Sequence, residues 1–369
     1  MAGWDVRRVG LGLAAPLLAL VVAVGLSSAV LLIAGHDPGT AFSAMADFGT
    51  QPGSMVQIVN RSSAYYLSAI AVAIGFRMNL FNIGVDGQYQ LAAMLAAVVG
   101  GAVHLPPVLH VGLIILVAVL VGASWAAVAG VLKVTRGVSE VISTIMLNFL
   151  ATGVVAYLLT PQRFAILQGN NISTKPIPAS GHVPGFTTDN GTVYGLVLIA
   201  VLIGVGYWFL LGRTRFGFDL RATGQSEPAA VASGVNVRRM VVAAMVLSGA
   251  VAGLVGMPQL LGASYSYSLD FPAGLGFTGI AIALLGRNHP LGVGFAALLW
   301  SFLDQSALIL DINDIPKEIV TIMQGTIVLA VVVAYEVVRR WRLASEQRRV
   351  AAELRESGPA PVPAGGGVS

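Results

Sequence analysis

The composition of the chain excludes a soluble globular protein. Of the 369 residues, 56% are hydrophobic, only 10% are charged, and the formal net charge is +4. A soluble domain is typically about 25% charged, whereas a surface that faces lipid is as apolar as a protein core. The basic residues stand in short hinges between apolar runs, so membrane topology explains them better than a nucleic-acid partner does, and we expect none.

Apolar runs recur along the chain, and a membrane span needs about 20 residues at about 1.5 Å each. The first run follows Arg7 and Arg8, and we predict a retained helix rather than a cleaved signal peptide. The sequence therefore predicts an all-α, polytopic membrane helix bundle of about ten transmembrane helices. The spans are approximately Leu11–Ala34, Ser62–Phe76, Gly87–Val103, Val108–Leu132, Val138–Thr160, Val193–Leu211, Met240–Leu261, Phe277–Gly286, Leu291–Leu310 and Lys317–Val338.

The distribution of basic residues tests this number of spans. With the N-terminus in the cytoplasm, the outside keeps only Arg61, Arg163, Lys175 and Lys317 of the 21 lysines and arginines. Cytoplasmic loops carry an excess of Lys and Arg, and a missed or extra helix would scramble this partition. We therefore predict that both termini are cytoplasmic.

The polar segments divide the chain further. Gly35–Arg61 and Pro161–Thr192 are rich in Gly, Pro, Ser, Thr and Asn, and we predict that both are external loops. Residues 1–340 form one transmembrane domain with a cytoplasmic loop at 212–239. Residues 341–369 form a cytoplasmic tail that starts as a charged helical extension and ends in the Pro- and Gly-rich stretch Gly358–Ser369, which we expect to be disordered.

A short internal repeat points to two related halves. Glu140-Val-Ile-Ser-Thr-Ile-Met146 opens the fifth span and Glu318-Ile-Val-Thr-Ile-Met323 opens the tenth. The predicted topology starts these two spans on opposite sides of the membrane, so the halves would be an inverted repeat. Transporters commonly have this arrangement, and their substrate path runs at the repeat interface.

The sequence contains no recognisable catalytic constellation. The Walker A pattern is absent, since none of the three lysines follows a glycine. Gly274-Leu-Gly-Phe-Thr-Gly279 matches G-x-G-x-x-G, but no strand precedes it, and close helix packing through small residues is the better interpretation. The chain has no cysteine, and its five histidines lack metal-ligand spacing, so we expect no cofactor and no metal.

The cytoplasmic loop Gly212–Arg239 contains a predicted short helix with residues typical of a helix start and a helix end on either side. Ser226 can cap the first turn, Glu227 suits the positive end of the helix dipole, and Pro228 is tolerated there. Gly234 can end the helix. A short helix on the cytoplasmic face is a suitable contact for a partner, although an ordinary connecting loop would have the same pattern.

A second polar cluster interrupts the apolar pattern at Phe76–Gln88. The predicted second span is too short to cross the bilayer, so part of this glycine-rich run should lie at membrane depth, where irregular backbone must be buried or face a wet cavity. Ser268–Gly276 is a matching interruption before the short eighth span. Paired interruptions in two halves indicate a translocation path; the alternative is that the polar side chains only brace helices.

Other polar and aromatic residues extend the predicted path. Intramembrane polar side chains could contact substrate or join helices, and aromatic rings could stack on a flat ligand or form an interfacial belt. We predict that the path is lined by Asn82, Asp86, Gln88, Asn148, Tyr265, Phe271 and Phe277.

Three motifs together resemble the permease subunits of ATP-binding cassette importers, in the branch that handles nucleosides and simple sugars. They are Phe81-Asn-Ile-Gly-Val-Asp-Gly-Gln88, Glu140-Val-Ile-Ser-Thr-Ile-Met-Leu-Asn148 and Phe218-Asp-Leu-Arg-Ala-Thr-Gly-Gln-Ser-Glu-Pro-Ala-Ala230. The chain departs from the family pattern in having Asp86 where Glu is common and Ser-Glu-Pro in place of Asn-Pro-Glu. The Asn-Ile-Gly run favours the nucleoside branch.

The resemblance implies a partnership rather than a lone transporter. It implies cytoplasmic ATP-binding subunits that hydrolyse ATP, a second permease subunit (a copy or a homologue) and an extracytoplasmic substrate-binding lipoprotein, all at the plasma (inner) membrane. Coupling to the ATPase would fall on Arg221, Gly224, Ser226, Glu227, Pro228, Ala229, Ala230 and Gly234. The alternatives are a permease for a simple sugar or other small polar solute, an ion-coupled secondary transporter, and a membrane-embedded enzyme.

Overall fold

The computed structural model describes residues 6–168, 171–313 and 315–356. Its contacts divide the chain into two compact units, one spanning His36–Thr321 and the other made of the residues on either side. The flanking unit contains helix α1 (Val6–Ile33) and most of helix α14 (Glu318–Glu356). The predicted disordered stretch Gly358–Ser369 lies outside the described residues.

Helix α14 continues through the charged extension that follows the last predicted span. It is 39 residues long, and Glu336 pairs with Arg339 and Arg340 at 2.8 and 2.7 Å on its surface. These are pairs of residues three and four apart, which face each other on a helix. Helix α14 thus continues to Glu356, while the domain boundary near residue 340 and the cytoplasmic tail stay predictions.

Within the described residues, the central unit contains helices and two small hairpins. Its helices are α2 (Pro38–Gly49), α3 (Pro52–Phe76), α4 (Val85–Ala102), α5 (Pro107–Arg136), α6 (Glu140–Leu158), α7 (Leu196–Arg213), α8 (Arg215–Gln225), α9 (Glu227–Ala232), α10 (Val237–Gly253), α11 (Met257–Gln259), α12 (Leu275–Leu285) and α13 (Pro290–Ile312). Strands β1 (Ala165–Gln168) and β2 (Asn171–Thr174) form one antiparallel hairpin, and β3 (Phe186–Thr188) and β4 (Gly191–Val193) form another.

The predicted membrane bundle is confirmed. Every predicted span overlaps a helix, and among the described residues six helices are long and apolar enough to cross a membrane, or up to seven if a bent helix pair counts as one span. Glu140 and Glu318, which open the two repeat motifs, are each the first residue of a helix. The inverted relation of the two halves stays a prediction.

The predicted loop at Gly35–Arg61 is wrong. The segment forms α2 and the first part of α3, which has 25 residues and is therefore long enough to span a bilayer. Its prolines, Pro38 and Pro52, lie in the first turn of each helix, where proline costs no hydrogen bond. Asp37 caps α2 by accepting a bond from the Thr40 backbone N–H at 2.7 Å. Residues typical of loops here are helix starts.

Helices α5 and α10 cross with their backbones in contact. A Cβ added at Gly122 would lie 2.2 Å from the Gly249 carbonyl oxygen, and one added at Gly253 would lie 2.0 Å from the Ala118 carbonyl oxygen. Gly249 and Gly253 form a G-x-x-x-G pair, the small-residue spacing that lets membrane helices approach closely. This crossing holds α10 in the centre of the unit, where Ser248 meets α3.

The long loop before α7 is hydrogen-bonded to the irregular segment that follows α10 and α11. After α11, Leu260–Ser264 forms one turn of π-helix. The backbone N–H groups of Thr174 and Ile177 then donate to the carbonyls of Tyr267 and Tyr265, both at 2.8 Å. Backbone hydrogen bonds therefore tie this loop to the residues that come just before the second interrupted segment, Ser268–Gly276.

Candidate functional site

The polar run after α3 turns back into the helix bundle. Helix α3 ends at Phe76 and α4 begins at Val85. Between them, Asn82 is 1% exposed, and its amide exchanges two hydrogen bonds with Gln88, at 3.0 and 2.9 Å. Asn82 also donates to the Ser248 hydroxyl at 2.8 Å, and Ser248 donates to the Ala71 carbonyl at 2.6 Å. These bonds fix the polar run to Ser248 of α10 and, through Ser248, to Ala71 in the last two turns of α3.

The two interrupted segments meet at Asp86. One carboxylate oxygen accepts a bond from the Gly276 backbone N–H at 3.1 Å, and the other accepts one from the Gln90 amide at 2.7 Å. The Tyr89 hydroxyl donates to the Pro272 carbonyl at 2.8 Å. A carboxylate at a helix N-terminus is favoured by the helix dipole, so Asp86 of α4 stabilises the start of α12.

The glycine pattern Gly274–Gly279 serves close packing, as predicted. A Cβ at Gly276 would lie 2.3 Å from the Asp86 backbone nitrogen, and one at Gly279 would lie 2.1 Å from the Ser68 hydroxyl. Gly274 has φ +82°, a backbone conformation that glycine adopts without strain. The start of α12 is thus pressed directly against α3 and α4.

Asn148 brings α6 to the same place. Its side-chain oxygen accepts a bond from the Gly87 N–H, and its amide donates to the Ile83 carbonyl, both at 2.9 Å. The structure therefore gathers Asn82, Asp86, Gln88 and Asn148 into one buried cluster, the polar junction. Through these bonds the polar junction fixes where α4 and α12 begin and where α6 passes.

The predicted aromatic residues have separate surroundings. Tyr265, with φ +51°, stacks on His182 at 3.6 Å between ring centroids. Phe271 is buried and stacks on Tyr267 at 4.6 Å. Phe277 on α12 is 53% exposed. Of the three rings, Phe277 has the most surface free for another molecule.

Helix α9 forms where the sequence predicts it. The Ser226 hydroxyl accepts a bond from the Ala229 N–H at 3.4 Å, and Gly234 has φ +83° just beyond the helix. Glu227, Pro228 and Ala229 are exposed. We call Ser226–Gly234 the docking segment. Val231 within it and Phe218 on α8 are 58% and 62% exposed, so this surface also presents apolar side chains.

Three of the residues predicted for coupling contact the rest of the chain. Ala230 is 2% exposed, the Arg221 guanidinium donates to the Leu211 carbonyl, and Gly224 lies against the backbone of Arg77. Ala230 therefore anchors the docking segment from within, and Arg221 and Gly224 are half-buried beside it. Sequence reasoning missed Ser248 and His182, because a single serine or histidine in an apolar run carries no motif.

The residues of the polar junction offer no metal chemistry. Among the described residues, no group of three or more His, Cys, Asp or Glu side chains could hold a metal ion. The polar junction can orient helices, but it contains neither a nucleophile–base pair nor a phosphate-binding loop.

Comparison with known proteins gives consistent relatives. The chain is 33% identical to the guanosine ABC transporter permease protein NupP of Bacillus subtilis, over 87% of this chain and 93% of that protein. It is 30% identical to the nucleoside ABC transporter permease protein NupB of Lactococcus lactis, over 87% and 90%, and 29% identical to the glucose ABC transporter permease protein TsgB13 of Haloferax volcanii, over 89% of each chain.

The family match covers most of the central unit. Residues 54–332 match the family described as branched-chain amino acid transport system / permease component, which spans α3 through most of the described bundle. With its apolar helices, the chain is a multi-pass membrane protein. It belongs to this family of transport-system permease components.

Proposed function

We propose that this chain is the membrane-spanning permease subunit of an ATP-driven nucleoside importer. It forms the translocation path by alternating access, and separate cytoplasmic subunits hydrolyse ATP. The observation that carries the proposal is the docking segment: a capped helix of 6 residues with an exposed face. It lies between α8 and the membrane helix α10 in a chain without a Walker A motif. Such a helix gives an external motor a rigid point of contact.

The proposed function also implies which subunits form the complete transporter. A second permease subunit, either a copy or a homologue, completes the path, and an extracytoplasmic binding lipoprotein delivers the substrate. The complex lies in the plasma membrane, and both termini of this chain are cytoplasmic. The excess of basic residues at the ends of the spans that adjoin the docking segment supports this orientation.

The substrate class rests on the relatives and on the aromatic residues. NupP and NupB are named for guanosine and nucleosides, and a nucleoside offers a flat base for stacking and hydroxyls for hydrogen bonds. The exposed ring of Phe277 on α12 supplies a stacking surface. Tyr265 and Phe271 shape the adjoining segment, and the polar junction fixes the start of α12. A second candidate is a simple sugar, because TsgB13 is named for glucose.

Competition for uptake tests the substrate class. Vesicles holding the assembled complex should take up labelled guanosine, unlabelled nucleosides should compete, and glucose should not. No uptake of labelled guanosine, together with uptake of labelled glucose, would establish the sugar alternative.

A pair of phenylalanine variants tests the stacking surface. Phe277→Leu keeps an apolar side chain but removes the ring, and loss of one aromatic stack of about 1 kcal/mol should raise KM about fivefold. Phe295→Leu on α13 is the matched control, because Phe295 is also exposed, at 75%, and lies away from the interrupted segments. Equal KM values for the two variants would remove Phe277 from the path.

A further inference from the structure

The turn between α3 and α4 is bonded directly to Gly224 near the end of α8, two residues before the docking segment begins. The Asn79 amide donates to the Gly224 carbonyl at 2.7 Å. A Cβ added at Gly224 would lie 2.3 Å from the Arg77 carbonyl oxygen and 3.0 Å from the Met78 Cα. The end of α8 therefore rests on the backbone of the turn with no side chain between them.

The turn itself is held firmly on its other sides. The Arg77 guanidinium donates to the Asn288 carbonyl at 2.7 Å, and the Tyr207 hydroxyl donates to the same oxygen at 2.9 Å. Met78 and Leu80 are 5% and 3% exposed. A displacement of Gly224 would thus be passed to a packed element rather than absorbed by a loose loop.

From this turn, the chain leads directly to the polar junction. Three residues beyond Asn79, Asn82 is bonded to Gln88 at the start of α4. Asp86, the second residue of α4, accepts a hydrogen bond from the Gly276 N–H in the first turn of α12. The contacts from the docking segment to the meeting point of the two interrupted segments are therefore continuous: Gly224, Asn79, Asn82, Gln88, Asp86 and Gly276.

We propose that Asn79 is a positioning residue that transmits movement of the docking segment to the polar junction. The proposal rests on the proposed function, in which an ATPase moves that segment. When the ATPase displaces α9, the Asn79–Gly224 bond carries the turn along with α8, and the shift reaches Asp86 and the start of α12. Without the bond, the motor still docks and hydrolyses ATP, but the path no longer follows it.

Asn79→Gly removes the bond and leaves the backbone relaxed. Asn79 has φ +54°, a region that glycine adopts freely and most side chains avoid, so the substitution deletes the amide without adding strain. Asn79→Asp repeats the test with the side-chain size kept, because it replaces the donor with an acceptor that faces the Gly224 carbonyl.

Asn288→Gly is the matched control. Asn288 also has φ +54°, and its side-chain oxygen has no hydrogen-bond partner among the described residues. Its backbone carbonyl, which accepts the Arg77 and Tyr207 bonds, is kept by glycine. The control therefore changes the same residue type, in the same conformation, near the same turn.

The measurement is the amount of nucleoside taken up per ATP hydrolysed, in vesicles that hold the permease with its ATPase subunits and binding protein. Asn79→Gly should lower this ratio about five- to tenfold while hydrolysis continues, as expected for the loss of a coupling interaction. Asn288→Gly should stay within about twofold of the parent. An unchanged ratio for Asn79→Gly and Asn79→Asp, or an equal loss of hydrolysis and uptake, would overturn the proposal.

A label experiment separates docking from transmission. The chain has no cysteine, so single cysteines at the exposed positions Val231 and Ala273, the latter just before α12, can carry spin labels. In the parent, ATP should change the signals at both positions; with Asn79→Gly, the signal at Val231 should still change and the signal at Ala273 should not. A response at both positions in the variant contradicts the proposal. A parent complex with no ATP-dependent uptake or signal would instead refute the proposed function.

Discussion

Gly112 and Gly122 lie on the same helix and differ in what a methyl group would meet. At Gly112 nothing lies within 4 Å of an added Cβ, whereas at Gly122 the Gly249 carbonyl oxygen would be 2.2 Å away. An ordinary contact is about 3.5 Å, so α5 and α10 would have to separate by roughly 1 Å. Alanine should add about 1 kcal/mol of helix propensity at either position, but overpacking at Gly122 should cost about 1–3 kcal/mol.

The difference between Gly122→Ala and Gly112→Ala isolates the helix crossing, because the gain in propensity is common to both. We expect Gly122→Ala to be less stable than Gly112→Ala by about 1–3 kcal/mol. The assay is unfolding of the purified chain by added SDS in mixed micelles, followed by tryptophan fluorescence. Free energies of unfolding within about 0.5 kcal/mol of each other would show that α5 and α10 do not cross in backbone contact.

Three further predictions concern the site. Ala229→Arg should abolish binding of the ATPase subunit, measured by co-purification, while the chain stays folded. Ala230→Arg should unfold the chain locally, measured by limited proteolysis, because Ala230 is 2% exposed. Ser226→Ala should cost about 1 kcal/mol of helix capping, seen as faster amide hydrogen exchange in α9, and unchanged exchange would refute the cap. Asp86→Ala should destabilise the chain by about 1.5–3 kcal/mol, as for a bond to a charged group, in the same SDS assay, and a neutral result would remove Asp86 from the start of α12.

The sequence was sufficient to predict the membrane-spanning helices because such spans can be recognised by their length and hydropathy. It failed at Gly35–Arg61 because Pro, Gly and Ser occur both in loops and in the first turns of helices. Only the capping bond at Asp37 and the placement of Pro38 and Pro52 in first turns distinguish the two. Composition alone does not contain that information.

The segments that surround the candidate site could be predicted from the sequence, but the orientation of their side chains could not. The interrupted segments could be found from polar and glycine residues in apolar surroundings, and the docking segment from its caps. The sequence could not show which side chains face inward. Helix α9 is too short for a periodic pattern to reveal that Ala230 is buried and Ala229 is exposed. Partners distant in sequence, such as Ser248 for Asn82 or Gly276 for Asp86, depend on tertiary packing.

The central claim is that a separate motor drives this permease through the docking segment. The direct measurement is nucleoside accumulation in sealed vesicles supplied with ATP, comparing the purified chain alone with the chain assembled with its ATPase and binding-protein partners. We expect the lone chain neither to hydrolyse ATP nor to concentrate nucleoside, and the assembly to do both. Accumulation against a gradient by the chain alone would contradict the account.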